Sequence, residues 1–319
     1  MNKLPGIAFI GEPLLELAPG SRAKVFDLAV AGDVFNTAAA VAQLGVPSFL
    51  ATSIGDIETD RILIDKAHEL GISTKFFRLD RDHHAGLYLI NNDPTGERSF
   101  TYWRSDSSAR HLFQSADDLD QLLTQLADIP QWYLSGITLS LLSDASLNIL
   151  LRHLVSFRRR GGTVIYDNNY RPALWNSAVD YRRRNIAVLE LVDVFLPSVE
   201  DAINSGSAQS MDEALDQFRL LDVREVIVKN GTEPVTLLLE GVETIIPVQA
   251  QSQVVDTTGA GDGFNGGYLA ARAMGLGCED AVHVGMRVSG SVVCHRGAIL
   301  PPETWQTLKK YVLDNDVRI

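Results

Sequence analysis

The sequence lacks most features that place a chain in a membrane, outside the cell or on nucleic acid. It contains only two cysteines in 319 residues, Cys278 and Cys294, both in apolar helical surroundings. We therefore expect reduced core cysteines in a cytoplasmic protein rather than a disulfide framework. No apolar run approaches the roughly 20 residues that span a bilayer, and residues 1–11 are expected to form a first strand, not a signal peptide. The net charge of −12 disfavours binding to nucleic acid or to an anionic membrane.

Two further absences exclude other classes of site. No G-x-G-x-x-G follows the first predicted strand, which argues against a dinucleotide-dependent oxidoreductase. The histidines show no metal-ligand spacing with carboxylates or cysteines, so we interpret them as structural or exposed; they include His83, His84, His283 and His295. There is also no internal repeat and no low-complexity tract.

The chain alternates short apolar segments with amphipathic ones. Strands are predicted at residues 7–10 and 48–54, and helices at 34–44, with Asp33 as the N-cap, and at 60–70. Such βα units indicate a mostly parallel central sheet with helices on both faces, in one domain over residues 1–319. A hairpin at 86–90 and 98–103, with its turn at 91–96, interrupts this pattern. With short strands near Leu14 and Val25 it predicts a small β lid over about residues 12–31 and 85–105.

The segment Asp256-Thr-Thr-Gly-Ala-Gly-Asp262 carries the strongest chemical signal. The apolar pair Val254 and Val255 is predicted to end a strand there, and a helix-compatible segment follows. Small residues in the turn let consecutive N–H groups face an anion at the start of the helix. A carboxylate beside such an anion hole suits phosphoryl transfer to a hydroxyl, because it can accept the hydroxyl proton. The alternative is an ordinary strand-to-helix turn in which Asp262 is a cap.

Other polar residues follow predicted strands, where open parallel sheets bind their ligands. Asp33 and Asn36 suit the hydroxyls of a sugar; the alternative is a helix cap and a solvent-facing amide. Tyr102 and Arg104 share one face of a strand and fit a ligand with a carboxylate or phosphate; the alternative is an amphipathic sheet with an arginine at its rim.

Two more turns contain candidate ligand contacts. Arg171 stands in the polar turn after residues 163–166 and is a second candidate for balancing negative charge, unless that turn is only an Asx turn. The segment Lys229-Asn-Gly231-Thr232 ends a strand and either lies along a nucleotide or is a surface turn.

Together these residues resemble the PfkB (ribokinase-like) carbohydrate kinases over essentially the whole chain. Residues 256–262 match the C-terminal signature of that family, and residues 31–45 match its N-terminal signature, with Ala31 where glycine is usual. The resemblance implies a ribokinase-like three-layer α/β/α sandwich with a small β-sheet lid and Mg-ATP as the phosphoryl donor. It also implies Asp262 as the catalytic base, with Gly259, Ala260 and Gly261 as the anion hole.

Three stretches resemble the branch of the family that phosphorylates the sugar acid 2-keto-3-deoxygluconate: residues 95–104, 133–139 and 166–175. This implies ATP-dependent formation of 2-keto-3-deoxy-6-phosphogluconate, with arginines available for the substrate carboxylate. The implied substrate contacts are Gly32, Asp33, Asn36, Tyr88, Tyr102, Arg104 and Arg171. The implied ATP contacts are Asn169, Ser198, Lys229, Gly231, Thr232, Gly259 and Gly261.

One departure from the family pattern concerns magnesium. The family commonly has Asn-x-x-Glu where this chain has Ser198-Val-Glu-Asp201 after Pro197, so Asp201 or Glu200 is the candidate for holding Mg²⁺ through water. A monovalent cation is a further implied cofactor, and the exposed lid indicates pairing of two chains through their lids. A fructokinase-like kinase of a neutral sugar and a non-catalytic sugar-binding regulator remain the alternatives.

Overall fold

The computed structural model describes residues 4–20, 22, 24–92, 98–249, 251 and 253–313. The strands in these ranges are β1 (Ile7–Ile10), β2 (Leu14–Pro19), β3 (Phe26–Ala31), β4 (Ser48–Gly55), β5 (Ile72–Asp80), β6 (Gly86–Asn92), β7 (Arg98–Trp103), β8 (Gln131–Ser135), β9 (Thr163–Asp167), β10 (Val194–Phe195), β11 (Glu225–Val228), β12 (Val235–Leu239) and β13 (Val242–Ile246). The helices are α1 (Asp33–Gln43), α2 (Glu58–Glu69), α3 (Ser108–Gln114), α4 (Ala116–Gln125), α5 (Gly136–Leu141), α6 (Asp144–Arg159), α7 (Ala178–Leu189), α8 (Val199–Asn204), α9 (Met211–Arg219), α10 (Ala260–Ala273), α11 (Cys278–Val293) and α12 (Pro302–Leu313).

A nine-stranded sheet forms the middle layer, in the order β13-β12-β11-β10-β9-β8-β1-β4-β5. Its strands are parallel except near one edge, where β12 pairs antiparallel with both β11 and β13. Successive side chains of a strand point to opposite faces, so β1 sends Ile7 and Phe9 into one core and Ala8 and Ile10 into the other. Helices α1, α2 and α10–α12 cover the first face, and α3–α9 cover the second. The predicted three-layer α/β/α fold is confirmed.

The second sheet contains four strands in the order β3-β2-β6-β7. The predicted hairpin is present as the antiparallel pair β6 and β7, with Tyr88 opposite Tyr102. The short strands predicted near Leu14 and Val25 are β2 and β3, and β2 pairs in parallel with β6. The predicted turn at 91–96 lies mostly outside the described residues. We call these four strands the second sheet.

Several local predictions are wrong. Val254 and Val255 are not in a strand and are 61% and 51% exposed, because their segment runs along the end of α11, where Val255 N–H donates to Val293 O at 2.7 Å. Asp33 is the first residue of α1, and the cap position belongs to Gly32. Cys278 is buried as predicted, but Cys294 is half-buried at the end of α11 and not part of the core.

The interpretation of the histidines as structural or exposed stays a prediction for His83. Its imidazole lies close to Asp106 and His111, residues too far away in sequence for a spacing rule to detect. Within the described ranges, no helix is both long and apolar enough to cross a membrane.

Candidate active site

Polar side chains converge where the strands of the nine-stranded sheet end. Asp167 ends β9, Lys229 follows β11, and Asp33 begins α1 directly after β3 of the second sheet. The first turn of α10 lies beside them, because a methyl group added at Gly261 would be 3.9 Å from Lys229 Nζ. The predicted polar residues thus meet at the carboxyl ends of the parallel strands, where open α/β sheets bind their ligands.

The glycine loop has a backbone that only glycine adopts easily. Gly259 is the residue before α10 and has φ of 72°, in the left-handed region. A methyl group at this position would lie 2.3 Å from Ala298 Cβ. Asp256 orders the loop from both sides, since its carboxylate accepts from Thr258 N–H at 3.0 Å and from Gly297 N–H at 2.9 Å. The amides of the first helical turn are therefore held in a fixed direction.

Gly259→Ala is expected to lower the free energy of unfolding by about 3 kcal/mol or more, from left-handed strain plus a steric clash. Gly241→Ala is the matched control, because Gly241 has φ of 82° but open space around the added methyl group. We expect that control to lose only about 1 kcal/mol. Urea denaturation measures both, and equal losses would mean that the contact with Ala298 is unimportant.

Asp262 lies in the first turn of α10 and is bound to α1. Its Oδ2 accepts from Asn36 Nδ2 at 2.8 Å. Although Asp262 keeps a partly exposed surface, burial raises the pKa of its carboxyl to about 7, and the nearby charge of Asp33 acts in the same direction. A carboxyl with a pKa of about 7 can exchange a proton with a ligand near neutral pH.

Asp33 is buried against the polar turn after β9. Its Oδ2 accepts from Asn169 Nδ2 at 3.0 Å, so Asn169 faces the predicted sugar contacts. Asn169 has φ of 24°, which is uncommon for a residue other than glycine and is found mainly where the surroundings impose it. Burial raises the pKa of Asp33 above its usual value, although hydrogen bonds from Ser135 and Val34 oppose this.

Lys229 belongs to a buried network that the sequence did not reveal. Its Nζ donates to Asn265 Oδ1 at 2.9 Å and to Asp167 Oδ2 at 3.3 Å. Asn265 Nδ2 donates to the same Asp167 oxygen at 2.6 Å and contacts the hydroxyl of Tyr133 at 3.1 Å. Asn265 could have been found from its position three residues after Asp262, which places the two on neighbouring parts of one helix surface. The alternative of a surface turn is therefore wrong for Lys229.

Gly231 and Thr232, unlike Lys229, are exposed to solvent. Both lie in the exposed turn between β11 and β12, where a methyl group added at Gly231 would meet nothing within 4 Å. Ser198 caps α8 by accepting from Asp201 N–H at 3.1 Å. Contacts of these three with a nucleotide stay predictions.

The two arginines are not free cations, contrary to our expectation. Arg104 is 9% exposed and forms a short ion pair with the buried Glu12, which also accepts from Ser107. Arg171 is 54% exposed and donates to Asp201 Oδ1 at 3.2 Å. For Arg104 the pairing follows from burial, since a guanidinium withdrawn from water needs a carboxylate partner.

Three aromatic residues of the second sheet lie on the same face, namely Tyr88, Phe100 and Tyr102. The rings of Tyr88 and Tyr102 are 5.5 Å apart, and Phe100 lies 6.1 Å from Tyr88. Tyr88 is buried and donates its hydroxyl to Glu16, whereas Tyr102 is 49% exposed. Tyr102 and Phe100, which is 41% exposed, are therefore the aromatic surfaces of this face that a ligand can reach.

Three buried polar atoms around this site have no partner. Six buried side-chain nitrogen and oxygen atoms in the described part of the chain make no hydrogen bond, and three belong to predicted site residues: Asn36 Oδ1, Asn169 Oδ1 and Arg104 Nε. Unsatisfied buried polar atoms are rare in proteins, so such a group is typical of a ligand site. Two acceptors and one cationic donor suit a ligand with hydroxyl groups and a carboxylate.

A cavity of about 450 Å³ lies elsewhere, beside the C-terminal turn of α11 and the start of α12. Its lining includes Gln251, Arg287, Cys294 and Glu303, and none of the predicted site residues. The volume of this cavity is no reason to connect it with the polar cluster of the candidate active site.

The fold and this cluster define the class of protein. A glycine turn at a helix N-terminus, a carboxyl with a raised pKa beside it and a cluster of buried polar groups on a three-layer sandwich are the elements of a ribokinase-like phosphotransferase.

Comparison with known proteins gives the family. The model of the pfkB family carbohydrate kinases matches residues 11–305, and the chain belongs to that family. It is 35% identical over 305 residues to a 2-dehydro-3-deoxygluconokinase of Dickeya dadantii (strain 3937), covering 93% of this chain and 97% of the relative. The name refers to the same sugar acid as 2-keto-3-deoxygluconate.

Two solved structures have the same fold. A 2-dehydro-3-deoxygluconokinase of Thermotoga maritima superposes with a TM-score of 0.81 at 21% identity, over 96% of this chain and 99% of that one. A putative ribokinase II of E. coli, crystallised with ATP and Mg²⁺, gives a TM-score of 0.80 at 22% identity over 98% and 100% of the two chains.

Proposed function

We propose that this kinase transfers the γ-phosphoryl group of ATP to the primary hydroxyl of 2-keto-3-deoxy-D-gluconate, giving 2-keto-3-deoxy-6-phosphogluconate. The three unpartnered buried atoms carry the proposal. Asn36 and Asn169 offer acceptors to hydroxyl groups, and Arg104 offers its Nε–H to a carboxylate. The relatives of the same name support this substrate.

Asp262 is the proposed base. As the sugar hydroxyl oxygen bonds to the γ-phosphorus, its proton passes to the Asp262 carboxylate, and the bond from the γ-phosphorus to the bridging oxygen of ADP breaks. Asn36 orients the carboxylate through the 2.8 Å hydrogen bond. The amides of Gly261 and its neighbours in the first turn of α10 stabilise charge on the transferred group, as helix N-termini do for anions.

Magnesium fits the oxygen-rich donors at the ends of β9 and β10. Asp201 and Asp167 provide carboxylates, the ligand type that Mg²⁺ prefers. Asp201 accepts from Arg171, and Asp167 accepts from Lys229. When bound, the ion neutralises phosphate charge. We propose that Asp201 holds it through water, which requires Arg171 to share that carboxylate.

The direct test is phosphorylation of 2-keto-3-deoxygluconate by ATP, with the product identified by ³¹P NMR coupled to the protons on C6. A phosphomonoester on C6, formed with one ADP per sugar, is the expected result. No product, or phosphate on another carbon, would contradict the proposal.

The pH profile is expected to report Asp262. Because the base acts ionised and its pKa is about 7, kcat/KM should rise with pH through an apparent pKa near that value and level off above it. Initial rates from pH 5.5 to 9 at low sugar concentration measure this, with saturating ATP and Mg²⁺. A profile flat from pH 5.5 upward would show that no carboxyl of raised pKa controls the reaction.

A kinase of a neutral sugar is the second candidate, and the exposed Tyr102 is compatible with either ligand. A neutral sugar needs no cation, so this second candidate gives the buried Arg104 no function in substrate binding. A non-catalytic sugar-binding regulator is disfavoured by the complete glycine loop and by Asp262.

The second sheet is proposed to be a lid, and its outer surface to pair two chains. The face opposite Tyr88 exposes Phe26, Leu28 and Trp103, which are 47%, 41% and 55% exposed. Light scattering should then give twice the monomer mass, and Trp103→Lys should give the monomer. A monomeric wild-type protein at micromolar concentration would contradict the pairing.

A cytoplasmic location and activation by a monovalent cation remain predictions from the sequence.

A further inference from the structure

Two histidines and an aspartate meet at the base of the second sheet. One donor atom from each of His83, Asp106 and His111 lies within 4.8 Å of the others. His111 Nε2 is 2.7 Å from Asp106 Oδ1, and the rings of the two histidines are stacked with centroids 3.5 Å apart. The described residues contain no other group of three or more such side chains at this spacing.

The chain passes this point twice, on its way into the second sheet and on its way out. His83 lies between β5 and β6, while Asp106 and His111 follow β7. The two crossings are already joined, since Ser108 N–H donates to His84 O at 2.8 Å. The cluster therefore links the entry and the exit of the β6–β7 hairpin, one half of the sheet that is proposed to be a lid.

A fourth residue fixes the tautomer of His83. Its Nδ1 lies 3.0 Å from Asp80 Oδ2, so a proton on Nδ1 is held by that carboxylate and Nε2 is left with its lone pair. A carboxylate that holds the second nitrogen of an imidazole is the usual support for a metal-binding histidine. Asp80 is itself positioned, because its other oxygen accepts from Asp82 N–H at 2.9 Å.

We propose that His83, His111 and Asp106 bind one transition-metal cation of the Zn²⁺ type, and that the ion clamps the two crossings of the second sheet. Two imidazoles and a carboxylate suit Zn²⁺, Co²⁺ or Ni²⁺ and not Mg²⁺, which prefers oxygen donors. To hold one ion, the donors must close to about 3.4 Å from one another, the spacing in a tetrahedral zinc site. The exposed fractions of the side chains, 27% for His83, 42% for His111 and 83% for Asp106, leave room for that movement and for a water ligand.

The site is tested by titrating the chelator-treated full chain with Zn²⁺ against a chromophoric chelator. We expect one Zn²⁺ per chain, bound at least about tenfold more weakly by His83→Ala and by His111→Ala, and also by Asp80→Asn through loss of orientation. His153→Ala is the matched control, because His153 contacts Asp120 at 2.9 Å without a third donor, and it should bind Zn²⁺ like the wild type.

His111→Ala keeps the test decisive if other variants fold poorly, since its side chain is on the surface. Absence of a bound ion, or equal affinity in wild type and His111→Ala, would overturn the site. Absorption of bound Co²⁺ is a second readout, which separates loss of the metal site from a general folding defect. Co²⁺ should give the visible absorption bands of four-coordinate geometry in the wild type and not in His111→Ala.

The clamp is tested by hydrogen exchange of the amides in β6 and β7. Zn²⁺ is expected to slow exchange there at least about threefold in the wild type and to have no effect in His111→Ala. Unchanged exchange in the zinc-loaded wild type would overturn the clamp while leaving the binding site intact. Neither the zinc titration nor the hydrogen-exchange experiment uses the kinase reaction, so the outcomes of both are independent of the proposed substrate.

Discussion

Asp262→Asn is expected to lower kcat by about 1,000-fold or more while the dissociation constant for ATP changes less than about threefold. Asparagine keeps the shape and can still accept from Asn36, but it cannot take the hydroxyl proton, and general-base groups contribute about 100- to 10,000-fold. Stopped-time assays with 2-keto-3-deoxygluconate give kcat, and calorimetric titration with a non-hydrolysable ATP analogue gives the affinity. A variant with near-normal kcat would contradict the assignment of the base.

Asp33→Asn is the matched control for this experiment. Asp33 is a buried carboxylate of the same cluster and is proposed to bind hydroxyl groups, so its loss should raise KM for the sugar more than it lowers kcat. If both variants lowered kcat equally, the cluster as a whole, and not Asp262, would be responsible.

Stability gives an independent check on Asp262→Asn. The pKa of Asp262 is raised from 3.8 to about 7, so the folded protein holds this proton more tightly than the unfolded chain. The stabilisation from protonated Asp262 is fully present below pH 3.8 and is lost as the pH rises toward 7. The neutral variant should therefore be at least as stable as the wild type at pH 8 in urea denaturation. An inactive variant that is also less stable would indicate misfolding.

Replacing the buried pair Glu12 and Arg104 by two glutamines is expected to lower kcat/KM for 2-keto-3-deoxygluconate by about 100-fold. A buried charge-assisted hydrogen bond to a carboxylate is worth about 2–3 kcal/mol, and the double change removes it without leaving Glu12 unpaired. The same variant should change kcat/KM for fructose less than about threefold. Equal losses for both sugars would exclude recognition of the carboxylate by Arg104.

Two single changes refine this result. Glu12→Gln leaves the Arg104 charge unneutralised, so the sugar acid should bind at least as well as in the wild type. Arg158→Gln is the surface control, because Arg158 makes a similar ion pair with Asp193 away from the candidate site. Arg158→Gln should leave the ratio of kcat/KM for 2-keto-3-deoxygluconate to kcat/KM for fructose unchanged.

The sequence predicted those parts of the structure whose pattern is local. The parallel core follows from alternating apolar segments, and the glycine loop follows from small residues before a helix. Strand β5 was not predicted, because Ile72–Asp80 mixes apolar and charged residues at a half-covered edge of the sheet. The predicted strand end at Val254 and Val255 was wrong because apolar composition alone does not reveal a segment held against a helix terminus.

Pairing between distant residues was the main part of the site that sequence patterns could not give. Arg104 on a strand face and Arg171 in a polar turn were both expected to be available to a ligand, yet their partners Glu12 and Asp201 are 92 and 30 residues away in sequence. The same limitation hid Asn265 beside Lys229, and Asp106 and His111 beside His83. These contacts depend on which strand ends meet, and only the tertiary structure specifies that.

The ratio of kcat/KM for 2-keto-3-deoxygluconate to that for fructose, measured with saturating ATP and Mg²⁺, tests the central claim most directly. The buried Arg104, whose Nε–H is unpartnered and whose charge acts on Asp33, and the two unpartnered amide oxygens predict a preference of about 100-fold or more for the sugar acid. A ratio near one, or a preference for fructose, would contradict the assignment of this site to a sugar acid.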